Sequence, residues 1–330
     1  MNSRYTPILA AALLASAASA PLRAQDNDQP PAPPAAPTLA RPVTPPATDK
    51  ALLRYKFAPG QVLRYSTVAD LDMKITTSPQ SPGIPIKQHI ETVSSQTVQS
   101  VDAAKDATTL AVKIESIAMT LNGQSVPTSE AMKAQLANVT TLVLSSTGKV
   151  LSVKIDAPTK TPGFDMSKVG VYQQNGVFPT DSVKPGDTWK SLIDVSAVGA
   201  KVTSNFKLSS LTPSDGAVIA QIAQSVTGVI SSSAATALPA GFKLGGAIHM
   251  NGVLLFDVDA GSIKSQTSTG HFDATVNAPA PAAAKPSAKT VAKQKKPAAT
   301  AGAAKVHMDM TTTTTRVDSD APAAPAPAAQ

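Results

Sequence analysis

Apolar and polar residues alternate along much of the chain between about residues 51 and 317. Two segments, TTLAVKIES and VLSVKID, show the pattern most clearly. Their apolar positions recur at every second residue, at Leu110, Val112 and Ile114 and again at Leu151, Val153 and Ile155. Because side chains two residues apart project from the same face of a strand, this period predicts half-buried β-strands.

Glycine-containing turns separate several of the predicted strands. The segment GVLLFDVDAGSIKSQTSTGHFDATV reads as two strands joined at Asp259-Ala260-Gly261, and LVLSSTGKVLSVKI has the same organisation around Gly148. Glycine supplies the positive φ that such tight turns need. A later strand, AKVHMDMTTTTTRVDSD, is expected to pair with TGHFDATV, which would make the residues between them a long hairpin loop.

Helical patterns are short and few. The segment PTSEAMKAQLANV places Met132 and Leu136 on one face, which predicts a helix of about ten residues. The segment FDMSKVGVYQQNGVFP indicates a second short helix that ends by Gly176 or Pro179. Neither is long enough for a helical bundle, so both are expected to cover a sheet.

Two distant segments, KFAPGQVLRYS and SVKPGDTWKSL, share one pattern. Pro59-Gly60 opens the first and Pro185-Gly186 opens the second, and a large aromatic residue follows, Tyr65 or Trp189. A Pro-Gly pair makes a turn with a preset φ, and the aromatic side chain anchors the next strand on the core. Because a glycine hairpin follows each copy at a similar spacing, the pattern indicates an internal duplication of a structural unit.

The predicted fold is mainly β, with two duplicated antiparallel curved-sheet units, short covering helices and disordered Pro/Ala-rich ends. The first β unit spans 51–160. The second spans 161–317 and contains a disordered Lys/Ala/Pro insert at 278–304. A Pro/Ala-rich linker at 25–50 and a disordered tail at 318–330 complete the chain.

Residues 1–24 have the pattern of a secretory signal peptide, with an early charge at Arg4, an apolar run and then small residues. Cleavage is expected after Ala18, Ala20 or Ala24. The apolar run is shorter than the roughly 20 residues that a membrane-spanning helix needs. The pattern therefore predicts an exported protein, periplasmic or secreted, without a transmembrane segment.

The net charge of +7 comes mainly from the insert. Charges nearly balance between residues 51 and 278, whereas the insert carries five lysines and no acid: Lys285, Lys289, Lys293, Lys295 and Lys296. Such a segment can contact anionic polymers or membrane headgroups electrostatically. It lacks the interleaved aromatic residues that stack on bases, so no specific nucleic-acid partner is expected.

Candidate chemistry is sparse. The four histidines, at 89, 249, 271 and 307, lie in separate segments without the spacing of a local metal site, and the chain has no cysteine. Asp70 with Asp72, and Asp257 with Asp259, are pairs of acids on one strand face, which is the arrangement of a glycosidase only if a sugar cleft accompanies it. No nucleophile elbow, phosphate loop or dinucleotide fingerprint occurs. The expectation is a protein that is not an enzyme and that has no cofactor or metal site.

The phrases FAPGQVLRYS, VFPTDSVKPGDTWKS and FDVDAGSIKS resemble uncharacterised secreted bacterial proteins grouped as domains of unknown function, in which a Pro-Gly-x-x-Trp strand opening follows a Phe-Pro turn. The resemblance covers roughly 51 to 317. The pattern is also loosely similar to the half-barrel folds of periplasmic lipoprotein and lipid carriers. That similarity implies a curved sheet around an apolar cavity, and it implies no catalytic residues.

Two functions are compatible with these features. The first is a binding protein for a lipid or another hydrophobic ligand, whose candidate lining residues are Met119, Leu121, Met250, Leu255 and Phe256. Such residues can equally belong to a filled core. The second is a structural or interaction module of the cell envelope that contacts anionic polymers through the lysine-rich insert.

Overall fold

The computed structural model describes residues 49–77, 82–130, 136–155, 177–195, 200–231, 243–277 and 303–317. These ranges contain twelve strands. In chain order they are β1 (Val62–Thr76), β2 (Ile84–Asp102), β3 (Ala107–Leu121), β4 (Gln124–Ser125), β5 (Val139–Leu144), β6 (Val150–Ile155), β7 (Thr188–Val195), β8 (Ala200–Ser214), β9 (Ala217–Ser231), β10 (Lys243–Asp257), β11 (Ser262–Asn277) and β12 (Ala303–Val317).

All twelve strands belong to one antiparallel sheet, in the order β6-β5-β3-β2-β1-β12-β11-β10-β9-β8-β7, with β4 beside β3. The mainly β prediction is confirmed, and the two predicted units lie in a single sheet that is not closed. Each half forms a five-stranded meander in the same spatial order, and β12 lies between the halves. The duplication that this order suggests stays a prediction.

Several sequence predictions fall on residues outside these ranges. They are the signal peptide, most of the Pro/Ala-rich linker, the insert with its five lysines, and the tail. The two predicted covering helices are described only at their edges. The one bounded helical element in the described residues is a 3-10 turn, Ala103–Lys105, which connects β2 to β3.

The hairpins predicted from glycine-containing turns are confirmed. The turn at Gly148 joins β5 to β6, and the turn before Gly261 joins β10 to β11. The predicted late strand, β12, pairs with β11 from Asn277↔Ala303 onward. Two positions of the alternation differ from the prediction. Ile114 is 40% exposed, and a bulge in the β5–β6 pair leaves Leu151 48% exposed.

The repeated Pro-Gly segments build the same corner twice. The N–H of Gly60 donates to the carbonyl of Val98 at 2.8 Å, and the N–H of Gly186 donates to that of Leu208, also at 2.8 Å. Both glycines have positive φ, +80° and +99°, which L side chains rarely adopt. A β-bulge follows Val98 and Leu208 alike. The repeated pattern is therefore structural.

Backbone contacts of residues 51–57 show that the sheet is curved. The N–H of Tyr55 donates to Ser146 in the β5–β6 turn at 2.8 Å, and the N–H of Lys56 donates to Gly261 in the β10–β11 turn at 3.0 Å. In a flat sheet these turns would lie roughly 25 Å apart, at about 4.8 Å per strand. Adjacent Cα atoms are only about 3.8 Å apart. The sheet therefore bends until its distant hairpins reach one short segment.

A core closes this end of the curve. Side chains of the 51–57 segment and of Phe178 and Val183 pack on the sheet, and Ala51 and Val183 form a β-bridge. The buried members of this clamp core are Ala51, Leu53, Tyr55, Leu63, Tyr65, Phe178, Val183, Phe206, Leu208, Ala220, Ile222, Leu254, Phe256 and Ile263. Burial raises the pKa of Tyr65 to about 12. The face on which these side chains pack is the inner, concave face of the sheet.

Candidate ligand-binding face

Two rows of residues cross the concave face, each with one residue from each of the seven strands from β9 to β3. The strand register defines the first row as Gln224, Gly252, Ser268, Thr312, Ala69, Ile90 and Met119. The second row is Val226, Met250, Gly270, Met310, Leu71, Gln88 and Leu121. Both rows run from β9 to β3, so they join the two halves of the chain through β12.

The structure brings three of the predicted lining residues together in these rows. Met119 and Leu121 are half-buried at the β3 end, and Met250 is buried on β10. Phe256 lies on the same face but belongs to the clamp core, where it is fully buried. The assignment of Leu255 to this face is corrected. Strand alternation places its half-buried side chain on the convex face, where its cross-strand partner is Gln221.

From these two rows toward the end of the sheet away from the clamp, the concave face is rich in methionine. Its buried residues are Ala69, Leu71, Met73, Ile75, Ile90, Met250, Ala274, Val306, Met308 and Met310, and partly buried hydrophobic residues including Met119 and Phe272 pack against them. All of these described residues come from the strands themselves. Methionine side chains are unbranched and adapt to irregular shapes, and in this methionine cluster they are buried against neighbouring apolar side chains.

The backbones of β10 and β11 approach each other closely where the sheet curves. A Cβ atom added to Gly270 would lie 2.2 Å from the carbonyl oxygen of His249, and one added to Gly252 would lie 2.2 Å from that of Thr267. Glycine within a strand commonly marks such a close approach or a bend. These two glycines therefore allow the sheet to bend beneath the two rows.

Polar side chains interrupt the apolar surface near the middle of the face. Gln266 donates through Nε2 to Oε1 of Gln224 at 3.2 Å, and Gln88 Nε2 lies 2.7 Å from the sulfur of Met119. Ser268 and Thr312 are 4% and 0% exposed, and their hydroxyl groups have no hydrogen-bond partner within the described ranges. Sequence reasoning missed this pair because neither residue belongs to a recognisable motif.

The histidines lie on the convex face and are closer together than their sequence separation suggested. His249 lies opposite His271 with ring centroids 5.1 Å apart, and His307 is 6.5 Å from His271. In the described ranges, no group of three or more histidine, cysteine or acidic side chains could hold a metal ion. His307 has an acidic neighbour, since its Nδ1 lies 2.6 Å from Asp273.

Neighbouring carboxylates raise the pKa of two convex-face histidines. Asp70 lies 2.7 Å from Nδ1 of His89, and this hydrogen bond raises the pKa of His89. The hydrogen bond from Asp273 likewise raises the pKa of His307. A shallow groove of about 530 Å³ runs past Asp70, His89 and Asp309 on this face.

The acids considered for catalysis have structural partners. Asp72 forms an ion pair with Lys87 at 2.8 Å. Asp257 accepts a hydrogen bond from the N–H of Ala260 at 2.8 Å, and Asp259 accepts one from the N–H of Val218 at 2.7 Å. The last two therefore stabilise the β10–β11 turn and its contact with β9, and they do not meet the histidines.

No protein-family model matches the chain, and no curated protein matches it. Among the described residues, no helix is long and apolar enough to cross a membrane.

Solved structures similar to the chain include one titled "Lipid-protein interactions in lipovitellin", at 14% identity and a TM-score of 0.42. The match covers 83% of this chain and 27% of that one, so the chain spans about a quarter of the length of that protein. A DUF1329 family protein from Desulfovibrio piger ATCC 29098 matches at 8% identity and a TM-score of 0.13, over 74% of this chain and 83% of that chain. The COG4313 outer membrane channel from Pseudomonas putida F1 matches at 9% identity and a TM-score of 0.20, over 80% and 97% of the two chains. Likeness at this level does not assign the chain to a family.

Proposed function

We propose that the chain is an exported binding protein that holds a lipid or another hydrophobic molecule against the concave face of its sheet. The observation that carries this proposal is the methionine cluster, which lies on the inner side of a curved, open sheet. A lipid tail contacts apolar side chains without requiring directional hydrogen bonds, and sites for such ligands are concave and mostly apolar.

The two ends of the concave face have different roles in this proposal. Aromatic residues of the clamp core, among them Tyr55, Phe178 and Phe256, pack against one another and fill one end. The other end is formed by flexible methionine and aliphatic side chains from β1, β2, β10, β11 and β12. The ligand would therefore lie along the methionine cluster, with Met119, Leu121 and Met250 beside it.

The proposed activity is binding rather than catalysis. The acids and histidines that a reaction would need lie on the convex face or in turns, where they pair with one another or with backbone groups. The hydrophobic ligand would contact the opposite face.

Photo-cross-linking with a diazirine-bearing palmitic acid tests the proposal on the full mature chain. Peptide mapping should place cross-links on β3, β10 and β12. The variant Met250→Gln should lower the yield, and Leu255→Gln, on the convex face of the same strand, should leave it unchanged. Uptake no greater than that of an unrelated exported protein, together with no bound mass in native mass spectrometry of protein from its own host, would contradict the proposal.

A second candidate function is an envelope interaction module that contacts anionic polymers. The observation that favours it is the pairing of Asn277 with Ala303, which places both ends of the lysine-rich insert at the end of the sheet away from the clamp. Lys74 and Lys305 lie on the strands that reach the same end. Co-sedimentation with anionic vesicles tests this candidate. Electrostatic binding should disappear when the five insert lysines are replaced by glutamine, and it should also disappear with added salt.

A further inference from the structure

A pair of buried hydroxyl groups lies at the middle of the concave face. Ser268 on β11 and Thr312 on β12 are cross-strand partners, 4% and 0% exposed. Among the residues that the structure describes, neither side-chain oxygen has a hydrogen-bond partner. A buried polar group normally has such a partner, and leaving it without one opposes folding. Two adjacent exceptions therefore indicate a position where something other than the described part of the chain supplies the hydrogen bonds.

Nearby polar side chains on the same face are paired. Gln266 donates to Gln224 at 3.2 Å, and the hydroxyl groups of Thr67 and Thr314 lie 3.1 Å apart. The absence of a partner is therefore specific to Ser268 and Thr312 within this neighbourhood.

We propose that Ser268 and Thr312 form the polar subsite of the ligand-binding face and bind an uncharged hydrogen-bonding group, such as the ester and hydroxyl groups of a monoacylglycerol. This inference rests on the proposed function and specifies the class of ligand. A hydroxyl group both donates and accepts hydrogen bonds, so the pair can bind an ester carbonyl oxygen and a ligand hydroxyl together.

The surroundings of the pair favour an uncharged ligand group. Along the two rows that cross the face, the neighbours of Ser268 and Thr312 are glycine, alanine, glutamine, methionine and aliphatic residues. No row position carries a charged side chain. Burying a phosphate or an ionised carboxylate there would require a compensating cation, because an isolated buried charge is far more costly than a buried neutral polar group.

The position of the pair also suits an amphiphile. From Ser268 to the end of β11 at Asn277, the strand extends for roughly 30 Å at about 3.3 Å per residue. The methionine cluster occupies this part of the face. One acyl chain needs about half of the 30 Å hydrocarbon thickness of a bilayer. The tail of a monoacylglycerol therefore fits along the cluster while its ester meets the hydroxyl pair.

The test measures displacement of N-phenyl-1-naphthylamine from the full mature chain by monopalmitin, palmitate and hexadecane. The wild type should bind monopalmitin more tightly than the other two. The double variant Ser268→Ala/Thr312→Val keeps the side-chain shapes and removes both hydroxyls, so it should bind monopalmitin about tenfold more weakly or worse and hexadecane unchanged. The single variant Thr312→Ser keeps both hydroxyls, because Ser268 is unchanged. It should therefore bind monopalmitin more tightly than the double variant does.

The outcomes separate the subsite from the proposed function. The subsite is wrong if the wild type and the double variant bind monopalmitin equally tightly. It is also wrong if the wild type binds palmitate more tightly than monopalmitin. Either result would still leave a hydrophobic binding face. If the naphthylamine probe and all three ligands fail to bind the wild type, both the subsite and the proposed function are wrong. The wild-type selectivity decides the question even if the double variant does not fold.

Discussion

Phe178 packs edge to face against Phe256, with ring centroids 4.6 Å apart and an interplanar angle of 64°. The N–H of Phe178 donates to the carbonyl of Thr147 in the β5–β6 turn at 2.8 Å, and Phe256 is the second-last residue of β10. This contact therefore links hairpins that lie far apart along the sheet. It explains why Phe256, although on the concave face, holds the curve closed instead of lining the proposed site.

The first prediction concerns this clamp. Phe178→Ala should lower the free energy of unfolding by about 3–5 kcal/mol, because it removes a buried aromatic ring and leaves a cavity. Leu52→Ala, at a neighbouring position that is 47% exposed, should change it by less than about 0.5 kcal/mol. Denaturant titration followed by the fluorescence of Trp189, the single tryptophan, measures both. Equal effects of the two variants would contradict the role of Phe178.

The second prediction concerns the close approach of β10 and β11. Gly270→Ala should destabilise the fold by about 1–3 kcal/mol or more, since the new methyl group would meet the backbone of His249 and Met250. Gly245→Ala is the matched control on β10, where the nearest atom to a new Cβ is 3.9 Å away. Thermal unfolding monitored by circular dichroism should separate the two variants. A neutral Gly270→Ala would show that the strands do not approach this closely.

The third prediction uses the hydroxyl pair. Thr312→Val should raise the free energy of unfolding of the ligand-free protein by about 1 kcal/mol or more, because it removes a buried hydroxyl that has no partner in the described part of the chain. Thr314→Val, two residues along the same strand, breaks the contact with Thr67 and should lower it by about 0.5–1.5 kcal/mol. Chemical denaturation of both variants gives the comparison. Destabilisation by Thr312→Val would mean that this hydroxyl makes a stabilising interaction.

The fourth prediction concerns pH. Asp273 raises the pKa of His307, so protonated His307 stabilises the folded state more than the unfolded state. This contribution is complete below the unfolded value of about 6.5 and is lost as pH rises through the raised pKa. The free energy of unfolding should therefore fall between about pH 6 and pH 8, and less so in Asp273→Asn.

Proton NMR titration of the His307 ring checks the cause directly. Its pKa should drop in Asp273→Asn and stay unchanged in Asp72→Asn, whose carboxylate pairs with Lys87. If the His307 ring has the same pKa in the wild type, Asp273→Asn and Asp72→Asn, Asp273 is not the cause of the raised pKa.

Local patterns were enough to predict much of the sheet. The alternation around Leu110, the turns at Gly148 and Gly261 and the late strand from Val306 all appear in the structure. The assignment of the Pro-Gly segments to corners also agrees with their hydrogen bonds. Bulges limited the prediction at Leu151, because one extra residue changes the face on which every later side chain lies.

The candidate site was less predictable than the strands. Met119 and Met250 lie on one face, as predicted. Leu255 was assigned to the same face as its neighbour Phe256, but adjacent residues of a strand point to opposite faces, so the two cannot share one. The approach of His249, His271 and His307 depends on pairing among β10, β11 and β12. Residues far apart in sequence become neighbours only through such pairing.

The sequence by itself determined where strands and turns form, because a period of two residues and a Pro-Gly pair act over a few positions. Only the tertiary structure decided that β12 lies between β1 and β11, and therefore that both halves share one sheet. Curvature then decided which face became concave and which side chains lost contact with water. Ser268 and Thr312 are ordinary strand residues in sequence, and they become unusual only because folding buries them side by side, without hydrogen-bond partners among the described residues.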